Sequence, residues 1–222
     1  MLKNEIEKLT HLYEEHRNEE NAGPMKKYMK DHFPFLGIKS PLRKELEKKF
    51  FKETAILKED FNMNFVTGLL EKDEREYQYT AITYMGKFIK KLPKDIMPFL
   101  EKLITTKSWW DSVDSIAPLV GELARKYPEI IEETINGWSV DDNFWLRRSA
   151  ILFQLKYKQQ TNKALLFEYI VKNADSKEFF IQKAIGWALR EYSKTNPVSV
   201  KEFIEGNKLA PLSVREGSKY VS

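Results

Sequence analysis

Cysteine is absent from the 222-residue sequence, and glycine and proline are scarce, with nine of each. The lack of cysteine excludes disulfides, thiolate nucleophiles and cysteine-ligated zinc, and fits a reducing compartment. Low glycine and proline content, with charged residues at helical spacing, favours an all-α protein over a strand-rich one. No apolar run is long enough to span a membrane, and the first eight residues interleave charged with apolar side chains. We therefore expect no signal peptide, no membrane partner and a cytoplasmic location.

Several motifs of catalysis and metal binding are also missing. The sequence has no Gly-rich phosphate loop and no Ser-centred elbow. Its three histidines, His11, His16 and His32, have no acidic partner at ligand spacing, so we predict surface positions for them and no metal site. With 37 basic and 33 acidic residues the formal net charge is +4. That charge suits a polyanionic partner such as nucleic acid, but equally a solvated surface of mixed charge.

A repeat organises the chain. Five helix-like segments recur, at residues 41–46, 77–82, 112–116, 146–150 and 181–185. Their alignment places Lys44, Tyr79, Asp114, Arg148 and Lys183 in register, with steps of 35, 35, 34 and 35 residues. Second, amphipathic helices are predicted between them, at residues 61–70, 96–104, 129–138 and 163–171. This spacing predicts one all-α domain over residues 1–222, an α-solenoid of HEAT-like antiparallel helix pairs, curved with a concave basic groove.

Helix-end signals agree with this division of the chain. The residues predicted to mark turns or first helical positions are Pro93, Pro128, Pro197, Pro211, Gly37 and Gly137. Residues 142–143 and 175–176 are predicted N-caps because Asp, Asn and Ser precede apolar runs there.

The residues in register form a predicted row along one side of the stack. The row consists of cationic or aromatic residues, interrupted only by the carboxylate of Asp114. This pattern is expected of a groove that binds successive phosphates and contains one reactive group. The alternative is that these are only the solvated positions of each repeat, since binding faces of solenoids are not marked by charge alone.

The stretch Trp-Trp-Asp-Ser-Val-Asp at residues 109–114 is the most informative motif. In a helix Trp110 and Asp114 share one face. A carboxylate beside an aromatic face on a basic protein indicates a cationic ligand. The alternative is a tryptophan in the core and an Asp114 that caps or solvates a helix end.

Basic and aromatic residues also alternate around the row. Tyr28 lies among lysines, and Lys183, Trp187 and Arg190 are spaced to share a helix face. Such interleaving suits a groove that holds sugar-phosphate backbone by charge and contacts bases or sugars with rings. Trp187 equally suits the core, because most large apolar residues of its segment must be buried.

Residues 25–41, 107–115, 145–158 and 176–197 together resemble the AlkD family of bacterial DNA alkylation-repair glycosylases. The resemblance spans nearly the whole chain and implies a HEAT-like solenoid that releases alkylated purines from double-stranded DNA. It implies that Asp114 is the catalytic carboxylate, flanked by Trp110 and Trp187. Arg148 then corresponds to the main phosphate-binding arginine, Tyr28 to an aromatic lining the groove, and Arg190 to a backbone contact. The chain stops at Val221-Ser222, where members tend to carry more helix, so we expect an incompletely capped last repeat.

The chemistry implied by the resemblance follows from charge. Alkylation at N3 or N7 makes a purine cationic, so its bond to the sugar breaks through an oxocarbenium-like state that an anion stabilises. The resemblance implies no cofactor, and we expect a monomer. Two other functions stay open: a HEAT-like protein that binds DNA without hydrolysis, and a protein-binding HEAT scaffold. The Asp114 carboxylate beside Trp110 argues against the first, and the basic row against the second.

Overall fold

The computed structural model describes residues 2–221, which form thirteen α-helices and no β-strand. The helices are α1 Leu2–Glu14, α2 Glu19–Tyr28, α3 Ser40–Thr54, α4 Met63–Leu70, α5 Arg75–Phe88, α6 Met97–Thr105, α7 Trp110–Lys126, α8 Asn136–Trp138, α9 Phe144–Leu152, α10 Lys163–Lys172, α11 Phe179–Ser193, α12 Pro197–Gly206 and α13 Pro211–Gly217. A π-helical turn, Ile131–Ile135, leads directly into α8. The predicted all-α class is confirmed.

The repeat correctly located the helices. The five segments that define it lie within α3, α5, α7, α9 and α11. The second helices of the repeat correspond to α4, α6, the π turn with α8, and α10. Pro197 and Pro211 are the first residues of their helices, as predicted. Asn143 is the N-cap of α9, and its side chain accepts a hydrogen bond from the Trp145 amide at 2.9 Å.

Two predicted helix ends were wrong. The cap of α11 is Glu178 rather than residues 175–176, because Ser176 instead accepts a hydrogen bond from the Glu178 amide and holds the preceding turn. Gly137 lies inside α8 rather than in a turn. The adjacent Trp138 is buried and donates its indole N–H to Glu101 at 2.9 Å. This tertiary contact stabilises the helix at Gly137 and outweighs the low helix propensity of glycine.

Contacts between Cα atoms divide the chain into two compact units, Met1–Lys91 (unit 1) and Leu92–Ser222 (unit 2). One continuous domain therefore stays a prediction, as does a curved groove along the whole chain. No helix within residues 2–221 is long and apolar enough to cross a bilayer. Met1 and Ser222 lie outside the described residues. The expectations about the two chain ends depend in part on these residues.

A buried carboxylate organises unit 1. Glu76 of α5 accepts hydrogen bonds from the amides of Leu36, Gly37 and Ile38 at 3.0–3.1 Å. Burial raises the pKa of Glu76 above its ordinary value, and the amide hydrogen bonds oppose that rise. Gly37 has a φ of +86°, and a Cβ there would lie 2.0 Å from the Asn18 carbonyl oxygen, so the turn requires glycine.

Unit 2 stacks its helices in sequence. Helix α7 packs on α6 and α9, α9 packs on α11, and α11 packs on α13. This successive packing is solenoid-like, as the repeat predicted. It brings equivalent positions of neighbouring repeats side by side, so residues about 35 apart in sequence can meet.

Candidate active site

A pocket in unit 2 collects most of the predicted site residues. Its volume is about 360 Å³. Helix α7 contributes Trp110 and Asp114, α9 contributes Arg148, and α11 contributes the largest share of the lining. The complete set is Trp110, Asp114, Arg148, Phe179, Phe180, Lys183, Trp187, Arg190 and Glu216. The pocket is therefore built from four helices, and the residues that α11 contributes are spread over about three of its turns.

Asp114 and Arg148 form a bidentate ion pair. Arg148 donates from Nε to Oδ1 at 2.7 Å and from Nη2 to Oδ2 at 2.8 Å. Its Nη1 also donates to the Phe180 carbonyl oxygen. The Arg148 side chain is 5% exposed and that of Asp114 15% exposed, so the guanidinium is nearly buried while the carboxylate keeps a small opening to the pocket. Two parallel hydrogen bonds fix the plane of the carboxylate.

Two opposing effects of the surroundings act on the pKa of Asp114. Burial raises the pKa of Asp114 above its ordinary value, and this effect outweighs the hydrogen bonds and charge of Arg148, which lower it. The nearby Asp111 carboxylate adds to the rise. A carboxylate with a shifted pKa in a concave pocket, beside a specific charged partner, is a candidate functional group.

Aromatic rings wall the pocket and support it from behind. Trp110 and Trp187 are half-buried and line the cavity, and Phe179 is 55% exposed at its edge. Phe180 packs against Trp109 with ring centroids 5.0 Å apart and against Trp145 at 4.9 Å. Trp187 thus lines the pocket rather than filling the core, which was the alternative left open by the sequence.

Glu216 of α13 pairs with three cations, and two of them, Lys183 and Arg190, line the same pocket. Its Oε1 lies 3.3 Å from Lys183 Nζ, and its Oε2 lies 2.9 Å from Arg190 Nη1 and 3.1 Å from Lys219 Nζ. The hydrogen bond from Lys219 lowers the pKa of Glu216 most. The carboxylate can approach α11 because Gly186 has no side chain: a Cβ there would lie 2.5 Å from Glu216 Cβ.

Glu216 was not among the site residues predicted from the sequence, although a signal was present. One further repeat step of 34–35 residues from Lys183 reaches residues 217–218, next to Glu216. Phe179 and Phe180 were also missed as lining residues, because an aromatic pair at a helix start has no chemical signature of its own.

The other predicted site residues belong to unit 1. Tyr28, the last residue of α2, is 69% exposed. Lys44 is exposed on α3 and lines a separate cleft of that unit. Tyr79 lies on α5, with the Arg43 guanidinium 4.8 Å from its ring centroid.

A resident metal has no evident ligand set. Within residues 2–221, no three His, Cys, Asp or Glu side chains lie close enough together to hold an ion. His11 is exposed, as predicted, but Glu15 lies 3.3 Å from it one helical turn away, so the expectation that the histidines have no acidic partner was wrong for His11.

Comparison with known proteins identifies the family. The family model described as "DNA alkylation repair enzyme" matches residues 9–221. The chain belongs to the DNA alkylation repair enzyme family. A structure described as a predicted DNA alkylation repair enzyme from Enterococcus faecalis is 37% identical in sequence and superposes with a TM-score of 0.83. The match covers 93% of this chain and 97% of the Enterococcus faecalis chain. The structure of smu.31 from Streptococcus mutans UA159 shares the fold at 19% identity and a TM-score of 0.60, covering 82% of this chain and 97% of its own. No curated protein matched.

Proposed function

We propose that this member of the DNA alkylation repair enzyme family is a DNA glycosylase of the AlkD type. It hydrolyses the N-glycosidic bond of cationic N3- or N7-alkylated purines in double-stranded DNA and leaves an abasic site. The observation that carries the proposal is the oriented Asp114 carboxylate, which opens into a pocket walled by Trp110 and Trp187.

The proposed chemistry uses that carboxylate as an anion. Departure of an alkylated purine places positive charge on the sugar, and a fixed negative charge lowers the energy of that state more than it lowers that of the ground state. Asp114 also orients the water that attacks the sugar. The electron-rich faces of Trp110 and Trp187 contact the sugar and the cationic nucleotide.

Cationic side chains supply the DNA contacts in this proposal. Lys183 and Arg190 of α11 line the pocket, and in this proposal they contact a phosphate next to the lesion. Arg148 also lines the pocket and uses N–H groups not bonded to Asp114 or Phe180 for a phosphate. Lys44 and the exposed ring of Tyr28 contact DNA from unit 1. We propose that the enzyme acts as a monomer without a cofactor.

A DNA-binding protein without hydrolysis is the second candidate function. Arg148 donates to both oxygens of Asp114, so the charge of this carboxylate is already partly neutralised within the protein. Such a protein would bind damaged duplex and release nothing.

The deciding experiment incubates the protein with duplex DNA that carries 7-methylguanine or 3-methyladenine. Release of the free modified purine, followed by alkali-labile strand breaks at the same position, supports a glycosylase. An Asp114→Asn variant prepared in parallel controls for contaminating activity. Tight binding of the alkylated duplex with no purine released at any pH would reject the glycosylase in favour of the second function.

A further inference from the structure

Unit 1 contains a basic cleft, and Lys44 is the only residue of its lining that the proposed function uses. Its volume is about 520 Å³. The cleft is lined by Lys44, Glu47, Lys48, Phe51, Lys52, Leu57, Thr83 and Lys87. Four of these eight residues are lysines, and all four are exposed.

The lysines are arranged in a line. Lys44, Lys48 and Lys52 follow one another at intervals of four along α3, so they share one face of the helix. At a rise of about 1.5 Å per residue the three cover roughly 12 Å. Lys87 of α5 lines the same cleft, and Phe51 and Leu57 give the cleft apolar walls.

The charge of these lysines is not compensated locally. The only carboxylate in the lining is Glu47, which is buried and already paired with Arg43 and with the Thr80 hydroxyl, the latter at 3.0 Å. None of the four lysine side chains forms a hydrogen bond or ion pair with another residue in the described part of the chain. Lys94 and Lys172 of unit 2, by contrast, are each paired with glutamate.

We infer that Lys44, Lys48, Lys52 and Lys87 form a binding site for the sugar-phosphate backbone of duplex DNA. Each strand of duplex DNA carries a regular succession of phosphates, so a line of ammonium groups roughly 12 Å long can contact more than one of them in a row. A single phosphate ion would use only part of such a line. The inference rests on the DNA-binding part of the proposed function and not on hydrolysis.

The test compares two triple variants of the full chain. The first, Lys48→Gln with Lys52→Gln and Lys87→Gln, removes three charges from the cleft. The matched control, Lys8→Gln with Lys49→Gln and Lys91→Gln, removes three exposed lysines of unit 1 outside the cleft, so the net charges are equal. Affinity for an undamaged 20-base-pair duplex is measured over a series of salt concentrations, and inorganic phosphate is titrated separately.

The cleft variant is expected to flatten the log–log salt slope by about two to three units, roughly 0.9 for each phosphate that the protein no longer neutralises. The control should change the slope by well under one unit. Equal slopes in the two variants overturn the inference. Loss of inorganic phosphate binding alone, with the duplex slope unchanged, also overturns it, because the cleft would then hold a small anion.

The same proteins separate this inference from the proposed chemistry. A wild-type protein that releases no alkylated purine but shows the slope difference rejects the glycosylase and supports the DNA-binding cleft. Normal excision by the wild-type protein, together with equal salt slopes for the two variants, supports the glycosylase and rejects the DNA-binding cleft. Thermal unfolding of both variants verifies that the exposed substitutions leave the fold intact.

Discussion

Asp114 and Arg148, 34 residues apart in sequence, form a bidentate ion pair at the candidate active site. Replacing Asp114 with Asn keeps the shape of the side chain and removes its charge. We expect single-turnover excision to fall about a hundredfold or more, the usual effect of losing one preorganised electrostatic group, while duplex affinity is retained. Asp111→Asn, which leaves the ion pair in place, is the matched control. Wild-type excision by the Asp114 variant would show that this carboxylate is not the stabilising anion.

Removing Arg148 should shift the pH dependence of excision. Burial already raises the pKa of Asp114 above its ordinary value, and Arg148→Met removes the main opposing influence. Because excision needs the anion, activity rises with pH through the pKa of Asp114, and the acid limb should move to higher pH in the variant. Arg148→Lys, which keeps a positive charge, should shift it less. Coincident acid limbs in all three proteins would contradict the pairing role.

The sequence predicted the helices and much of the pocket because both depend on local spacing. Period-3.6 patterning located α7, α9 and α11, and the repeat step put Asp114, Arg148 and Lys183 at equivalent positions. The sequence could not show that the Arg148 guanidinium binds Asp114, because an arginine forms bidentate hydrogen bonds equally well with a phosphate and with a carboxylate. The role of Gly186 was equally hidden, since it depends on how closely α13 approaches.

Replacing Glu216 with Gln should tighten binding of undamaged duplex. The carboxylate holds Lys183, Arg190 and Lys219 at 2.9–3.3 Å and neutralises part of their charge. Without it, the net charge facing the DNA rises by one, and we expect the salt slope to steepen by up to about one unit. Glu191→Gln, which breaks an ion pair with Lys194 outside the candidate active-site pocket, is the matched control. Weaker duplex binding by Glu216→Gln would mean that the carboxylate positions the cations rather than masking them.

Gly186→Ala should destabilise the protein by forcing α13 away from α11. The new Cβ would meet Glu216 Cβ at 2.5 Å and the Ser213 carbonyl oxygen at 3.2 Å, and overpacking of this kind costs about 1–3 kcal/mol. Gly206→Ala, where the Cβ meets nothing within 4 Å, should be neutral or slightly stabilising. Equal melting temperatures for the two variants would show that α13 yields without cost.

Substrate range separates a charge-driven mechanism from one that recognises base edges. If Asp114 stabilises positive charge on the sugar, excision should follow the intrinsic lability of the glycosidic bond. Cationic N3- and N7-alkylpurines should then be released, and neutral lesions such as uracil and hypoxanthine left in place. An enzyme that extrudes the base into a pocket and reads its hydrogen-bonding edge would also release a neutral lesion with the right edge.

The decisive comparison uses duplexes that differ only in the lesion, one with 7-methylguanine and one with hypoxanthine. We expect free 7-methylguanine and no detectable hypoxanthine after the same incubation with excess enzyme. The Asp114→Asn variant should lose the first activity without gaining the second, because it keeps the pocket walls and lacks only the anion. Efficient hypoxanthine release would refute the charge-driven mechanism and would make Trp110 and Trp187 the walls of a base pocket rather than contacts for a cationic nucleotide.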